Sequence, residues 1–513
     1  MDLTTIARKG ASQFAESPAV ICDGHIQTYE QLFERACRLA NALAALGVQP
    51  GERVATLSDN GPEAVEQMVG IALGGYVRTA LYTHNSGQSN RYLLDLVEAS
   101  ALIVEAKRYE EIAAQLPGSC VRHVIVFGGE VPDGTLGYEQ ALAASSADDP
   151  GIALRPDDPH LIRFSAGTTG KPKGILHNVA GWSAVATEMT LVMPRMDQTD
   201  RYLAAGSLSH AALLPLFGTL AAGGAVVVMR AFHPARFLSL LAQERCTTTL
   251  LVPTMIQMIA GDPAARTTDV SSLRAVFYGA APISERTLGE ARALWGDIMY
   301  QWYGQSEVVP LTVLAPADHI GGRLRSAGRP TPHTILRIVD ANGDDVGPGE
   351  IGEIAARTPA AMTAIWRDPA ATAERLLPDG SVLTRDMGYL DEDGFLYLAD
   401  RKEDMIISGG FNIWPAELEN ALASHPAVAQ VAVVGVPHEK WGETPKAVVV
   451  LRSGREASEE DLIAWTREKV GAVKRVTSVE FADDLPKSAL GKILRREVRA
   501  RYQEPVGRNV AGT

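Results

Sequence analysis

The sequence predicts an α/β protein. A large N-terminal part has layered, largely parallel sheets, a small β-rich part follows it, and a compact α+β unit forms the C-terminus. Three observations predict this. Short apolar runs alternate with amphipathic helical runs as far as about residue 335, short strands broken by Gly/Asp turns take over from there, and helix–strand alternation resumes over roughly the last hundred residues.

Taken in order, residues 28–48 place Leu32, Ala36, Leu39, Leu43 and Leu46 at helical spacing and end at Gly47, the pattern of an amphipathic helix closed by glycine. The run 53–58 reads as a strand, and 64–75 as the next helix. Strand-like 102–106, 123–128, 224–229, 249–253 and 274–282, with helix-like 236–245, continue the alternation that gives parallel sheets. In 336–357 and 388–401 the Gly/Asp turns predict hairpins. The C-terminal unit is predicted from helix-like 415–425 and 459–471 and strand-like 428–436 and 446–452. These readings divide the chain into residues 1–399, a crossing at 400–404, and 405–513.

At 513 residues the chain is long enough for two or more domains and a deep pocket. Its net charge of −13 argues against a nucleic-acid partner or an anionic membrane surface, both of which reward a basic footprint. Cys22, Cys37, Cys120 and Cys246 form no CxxC pair, so neither a disulfide framework nor a zinc site is expected, and the four read as buried thiols in a reducing compartment. The N-terminus lacks signal-peptide order and no apolar run approaches the ~20 residues of a membrane span. The expected location is the cytoplasm.

The segment 163-RFSAGTTGKPKGILH-177 has the composition of a phosphate loop. Its glycines, Gly167 and Gly170 among them, let backbone N–H groups approach an anion. Ser165, Thr168 and Thr169 add hydroxyl donors, and Lys171 and Lys173 add charge. It is not a Walker loop: only two residues separate Gly167 from Gly170, and Pro172 follows Lys171 where a hydroxyl is required.

Together with four further segments, this loop resembles the adenylate-forming superfamily of acyl-CoA synthetases, luciferases and peptide-synthetase adenylation domains, over nearly the whole chain. The family loop runs Thr-Ser-Gly-Thr-Thr-Gly-x-Pro-Lys-Gly; 165-SAGTTGKPKG-174 departs from it at Ser165 and at Ala166, which removes one hydroxyl donor. The second segment, 303-YGQSE-307, resembles Tyr-Gly-x-Thr/Ser-Glu. The resemblance implies that Tyr303 packs on adenine beside Gly304, that Ser306 touches the α-phosphate, and that Glu307 holds Mg2+. Upstream, Gly279, Ala280 and Ala281 would line the adenine, with Gly279 and Gly304 also bordering the acid.

The third segment, 384-TRDMGYLDEDG-394, resembles the family's Thr-Gly-Asp-x-Gly, which gives Asp386 the ribose hydroxyls and marks Arg385 as a departure from glycine. The fourth, 400-DRKEDMIISGGFNIWPAELE-419, resembles the inter-domain crossing. It implies a ribose or phosphate contact for Arg401, a hinge at Glu403, and a coenzyme A tunnel lined by Ser408, Gly409, Gly410 and Phe411, with Trp441 nearby. The fifth, 486-PKSALGKILRRE-497, resembles the C-terminal signature and implies that Lys492 enters the active site for adenylation, carried by a mobile C-terminal domain.

The implied activity is ATP-dependent carboxylic acid:CoA ligation through an acyl-adenylate, with ATP, Mg2+ and coenzyme A, and with Lys492, Glu307 and Thr168 as its catalytic groups. The pocket segment 207–229 contains no carboxylate to hold an amine, which points to an apolar aryl, alicyclic or medium-chain acid rather than an amino acid. His210 would gate the carboxylate end, and Leu213, Leu214 and Phe217 would line the walls. Two alternatives stay open: transfer to a carrier-protein thiol, and a non-catalytic nucleotide-binding paralogue. The resemblance also admits a homodimer.

Overall fold

A computed structural model describes residues 2–165, 172–401, 404–408, 411–438, 441–471, 474–487 and 493–502, with the backbone alone at 400–401 and 411–412. The chain forms two compact units. One comprises Met1–Pro282, Gly289–Arg337 and Ala355–Thr384; the other comprises Ile283–Leu288, Ile338–Ile354 and Arg385–Thr513.

The first unit is built on two large sheets. In the nine-stranded sheet, Pro18–Cys22, Ala225–Val228, Arg201–Ala204, Thr248–Leu251, Ala275–Gly279 and Met299–Tyr303 are parallel neighbours. Short antiparallel strands close both edges. The eight-stranded sheet has a parallel stretch through Pro159–Ser165, Val77–Ala80, Arg53–Leu57, Ala99–Glu105 and His123–Phe127, and turns antiparallel at Lys173–Asn178. Their central strands are apolar almost throughout because helices cover both faces.

Helix Tyr29–Ala45 starts one residue later than the sequence suggests. Thr28 is its N-cap, accepting from the Gln31 N–H while the Gln31 side chain accepts from the Thr28 N–H. Its Leu32, Ala36, Leu39 and Leu43 are buried, as the spacing requires. Helix Pro62–Leu73 is apolar nearly all round because it packs against Tyr29–Ala45 and the sheets on several sides. The β-rich part is a four-stranded sheet of Ile335–Val339, Gly352–Arg357, Val382–Leu390 and Leu396–Arg401.

In the second unit Val428–His438 and Gly442–Leu451 form a long antiparallel pair, extended at one edge by Ile406–Ser408 and Phe411–Ile413 and at the other by parallel Ser478–Phe481. Helices Pro415–Ala423 and Glu459–Val470 bury Leu418, Leu422 and Leu462 against Val433, Ala447 and Val449. The strand expected at 446–452 thus begins earlier, at Gly442, because Thr444 and Pro445 pair with Val436 and Gly435.

One expectation is corrected outright. Cys22, Cys37 and Cys246 are buried, but Cys120 is exposed, in the turn that precedes strand His123–Phe127. Among the described residues, no helix is long and apolar enough to cross a membrane.

Candidate active site

The strands that flank the predicted phosphate loop are antiparallel neighbours, with Ser165 opposite Lys173. Gly167, Thr168, Thr169, Gly170 and Lys171, with Ala166, lie outside the described residues. Lys173 Nζ is 3.2 Å from Asp368 Oδ2, so its ammonium is already oriented by a carboxylate.

Strands Ala275–Gly279 and Met299–Tyr303 run side by side and end together, and in parallel sheets ligands bind at the carboxyl ends of strands. Here the backbones crowd. A Cβ on Gly279 would sit 2.1 Å from the Trp302 oxygen, and one on Gly304 about 3 Å from Val308 and Val309 atoms. Ala280 holds a left-handed φ of 64°, which turns the chain sharply out of the strand before Ala281. Tyr303 is buried at the strand end.

Beyond it, the Ser306 main-chain oxygen lies 2.8 Å from His177 Nε2. A carbonyl can only accept, so Nε2 carries the proton and Nδ1 does not. Glu307 is buried; its main-chain oxygen accepts from Met362 N–H at 2.6 Å, and its Oε1 is 3.5 Å from Arg375 Nη1. These contacts fix the YGQSE segment against strand Lys173–Asn178, which follows the predicted phosphate loop.

His210 precedes the 3-10 turn Ala211–Leu213 and stacks on Tyr82, centroids 4.6 Å apart. Tyr82 is held in turn by a 2.7 Å hydrogen bond to the Phe164 oxygen. Leu213, Leu214 and Phe217 are buried. Leu213 and Phe217 line a cavity with Trp182, His160 and Arg78, while Leu214 packs in the surrounding core. Trp182 meets His177 and Phe217 edge-on. Burial, joined at His177 and His210 by the positive charge of Arg163, lowers His160, His177 and His210 to about 4, so all three are neutral at pH 7.

Arg78, Arg163, Tyr82, His177, Trp182 and Arg375 escaped the sequence reading. A signal existed for two of them: 76-YVRTAL-81 and 160-HLIRFS-165 each carry one arginine inside an apolar strand, where a cation is expensive. No motif marked the others.

In the second unit Asp386 lies opposite Arg401 across an antiparallel pair. Arg385 adopts φ 61° and its N–H donates to Glu353 Oε1 at 3.0 Å, which accounts for a glycine at the corresponding family position: the backbone there is left-handed. Ser408 and Phe411 are opposed in the hairpin of the expected coenzyme A tunnel. Trp441 is 46% exposed. Glu403, Gly409, Gly410 and Lys492 lie outside the described residues. The basic C-terminal helix is ion-paired rather than merely solvated, with Arg495 on Glu419 and Asp404 and Arg499 on Glu443.

The family model described as AMP-binding enzyme matches residues 7–366, and that described as AMP-binding enzyme C-terminal domain matches 417–492. The chain belongs to the AMP-binding enzyme family. This AMP-binding enzyme is 38% identical over 495 residues to a medium/long-chain-fatty-acid–CoA ligase of Mycobacterium tuberculosis, covering 94% of this chain and 86% of the relative. It is 38% identical over 488 residues to a feruloyl-CoA synthase of Amycolatopsis sp, covering 94% and 96%. In fold it is similar to an amide bond synthetase of Marinactinospora thermotolerans, with TM-score 0.89, 30% identity, and 98% and 100% of the two chains covered. The AMP-binding enzyme is thus a member of the adenylate-forming superfamily on its acyl-CoA synthetase branch. Among its described residues no three His, Cys, Asp or Glu side chains converge as a metal centre. Glu307 alone suits a hard cation whose other ligands are phosphate oxygens and water.

Proposed function

We propose that the protein is an ATP-dependent carboxylic acid:CoA ligase whose acid has an apolar aryl, alicyclic or medium-chain body. The observation that carries this reading is the tie between His177 and Ser306, which sets Ser306 and Glu307 beside the strand leaving the phosphate loop. In the first step an oxygen of the acid attacks the α-phosphorus, the bond to the bridging oxygen breaks, and pyrophosphate leaves with that electron pair. The chain's part is alignment and charge stabilisation.

In this reading Ser165, Gly167, Thr168, Thr169, Gly170 and Lys173 cradle the phosphates. Gly279, Ala280, Ala281, Tyr303 and Gly304 hold adenine, Ser306 the α-phosphate, and Asp386 and Arg401 the ribose. Glu307 is the residue that would hold Mg2+, which when bound supplies charge neutralisation on the phosphates. His210 gates the acid carboxylate, and its neutral ring carries no charge to compete with the cations for it. Lys492 adds the cation needed for adenylation. In the second step the sulfur of coenzyme A attacks the acyl carbon and AMP leaves. Glu403, within 400–404, is the proposed pivot between the two steps, and Ser408, Gly409, Gly410, Phe411 and Trp441 receive the thiol substrate. The cytoplasm supplies both ATP and coenzyme A and is the proposed location.

The test is pyrophosphate release with ATP and Mg2+ across benzoates, alicyclic acids and C2 to C16 fatty acids, with and without coenzyme A. Acyl-CoA formed from one acid class supports the reading. Pyrophosphate release with no acyl-CoA redirects it to a carrier-protein thiol, and silence across the panel to a nucleotide-binding paralogue.

A further inference from the structure

Two guanidinium groups on neighbouring strands of the first unit form no ion pair among the described residues. Arg78 and Arg163 lie on neighbouring parallel strands in which Arg78 is opposite Leu161. Side-chain alternation therefore puts Arg78, Leu161 and Arg163 on one face of the eight-stranded sheet. Among the described residues neither arginine has a hydrogen-bond or ion-pair partner, and Arg78 Nε and Arg163 Nη1 are shut off from solvent. The Arg163 guanidinium lies over the face of Trp182, 5.9 Å from the ring centroid, and the negative charge of Glu307 reaches it without an ion pair forming. Burial and the charge of Arg163 together lower Arg78 to about 10, so each cation makes the other harder to accommodate.

Proteins bury a charge where something pairs with it, and an arginine presents five donors in a fixed fork. Arg78 opens onto the cavity lined by His160, Trp182, Leu213 and Phe217. Leu213 and Phe217, the proposed walls of the acid pocket, line this cavity, whereas His210, the proposed carboxylate gate, is not among its lining residues. Arg163 stands close enough for its charge to be felt at both His210 and Arg78. His177 Nδ1 and His210 Nδ1 are likewise without partners among the described residues.

We propose that Arg78 and Arg163 form a second recognition point for the acid, taking an oxygen acceptor (a second carboxylate, a ketone or a phenol) carried at the end remote from the carboxylate that is activated. The inference rests on the ligase reading and narrows it: the body of the acid is apolar and its far end is not. A site built to hydrogen-bond a substrate oxygen rejects the analogue lacking it, because the donors are then left unpaired.

The test compares matched acids: octanoate with octanedioate, and 3-phenylpropanoate with its 4-hydroxy and 4-carboxy forms. The wild type should favour at least one oxygenated member by about tenfold or more in kcat/KM, the scale of one charged hydrogen bond. Arg78→Met and Arg163→Met should bring the pair to within about threefold while the KM for ATP stays within about twofold. Both variants should melt no lower than the wild type, since each removes a partly buried cation that forms no ion pair among the described residues and keeps an apolar stem. Equal handling of every pair by the wild type overturns the inference. So does a raised KM for ATP with the preference intact, which would make these arginines phosphate ligands. Calorimetric binding of the same acids to the wild type without coenzyme A separates the two readings. If no thioester forms, the ligase reading falls, while tighter binding of an oxygenated member still supports the subsite and equal binding still overturns it.

Discussion

His177 Nε2 and the Ser306 main-chain oxygen, 2.8 Å apart, join strand Lys173–Asn178, which follows the predicted phosphate loop, to the segment carrying Glu307. The bond needs a proton on Nε2, and burial keeps the ring otherwise neutral. Replacing His177 with Phe should cut kcat/KM about tenfold or more by releasing Ser306 and Glu307 from their alignment, whereas His177→Gln, which retains a donor, should lose less. Steady-state pyrophosphate release measures both, and equal losses would show that the bond does not position the segment.

The same burial makes the fold acid-sensitive. His160, His177 and His210 are each lowered to about 4 from an ordinary value of 6.5. Between those limits the unfolded chain binds protons that the folded one does not. Their contribution is complete above about pH 6.5 and is lost as pH falls toward 4, on the order of 2–3 kcal/mol for each histidine. Urea midpoints should therefore drop steeply from pH 7 to pH 4.5, and His160→Gln should flatten the slope. An unchanged slope in that variant would mean that His160 is not kept neutral.

Lys492→Ala should abolish adenylate formation and spare thioester formation from supplied acyl-adenylate. A lysine used as a positioned point charge in one half-reaction has no role in the other. Comparable loss in both single-turnover assays would remove this division of labour.

Glu307→Gln should slow pyrophosphate release by about 100- to 1,000-fold and raise the Mg2+ concentration needed for half-maximal rate. Unaltered Mg2+ dependence would reassign Glu307 to holding Arg375, its neighbour at 3.5 Å.

Arg385 occupies a left-handed backbone. Arg385→Gly should leave stability within about 1 kcal/mol, relief of strain being offset by a more flexible unfolded chain, while the β-branched Arg385→Val should cost about 1–2 kcal/mol more than glycine does. Thermal melts compare the two.

The phosphate-loop flanks, the turn at Gly279 and the YGQSE segment were legible in the sequence because each is contiguous and sits at a strand end, where local composition and position coincide. The pairing of His177 with Ser306 was not, since 129 residues separate them and no local pattern links an imidazole to a distant main-chain oxygen. Arg78 and Arg163 were visible as cations within apolar strands. That neither forms an ion pair among the described residues emerged only once strand order set them side by side. Arg385 could be seen as a departure from glycine, but its positive φ is a property of the backbone and has no signature in residue type.

The placement of the four cysteines determines how this enzyme behaves in its own assay. Burial raises the thiols of Cys22, Cys37 and Cys246 to between about 11 and 12, so at neutral pH they are protonated as well as shielded, and Cys120 alone is exposed. A colorimetric disulfide reagent following coenzyme A consumption would then read a fixed background of one protein thiol per native chain. Any rise above that background during a time course would count unfolded molecules rather than product.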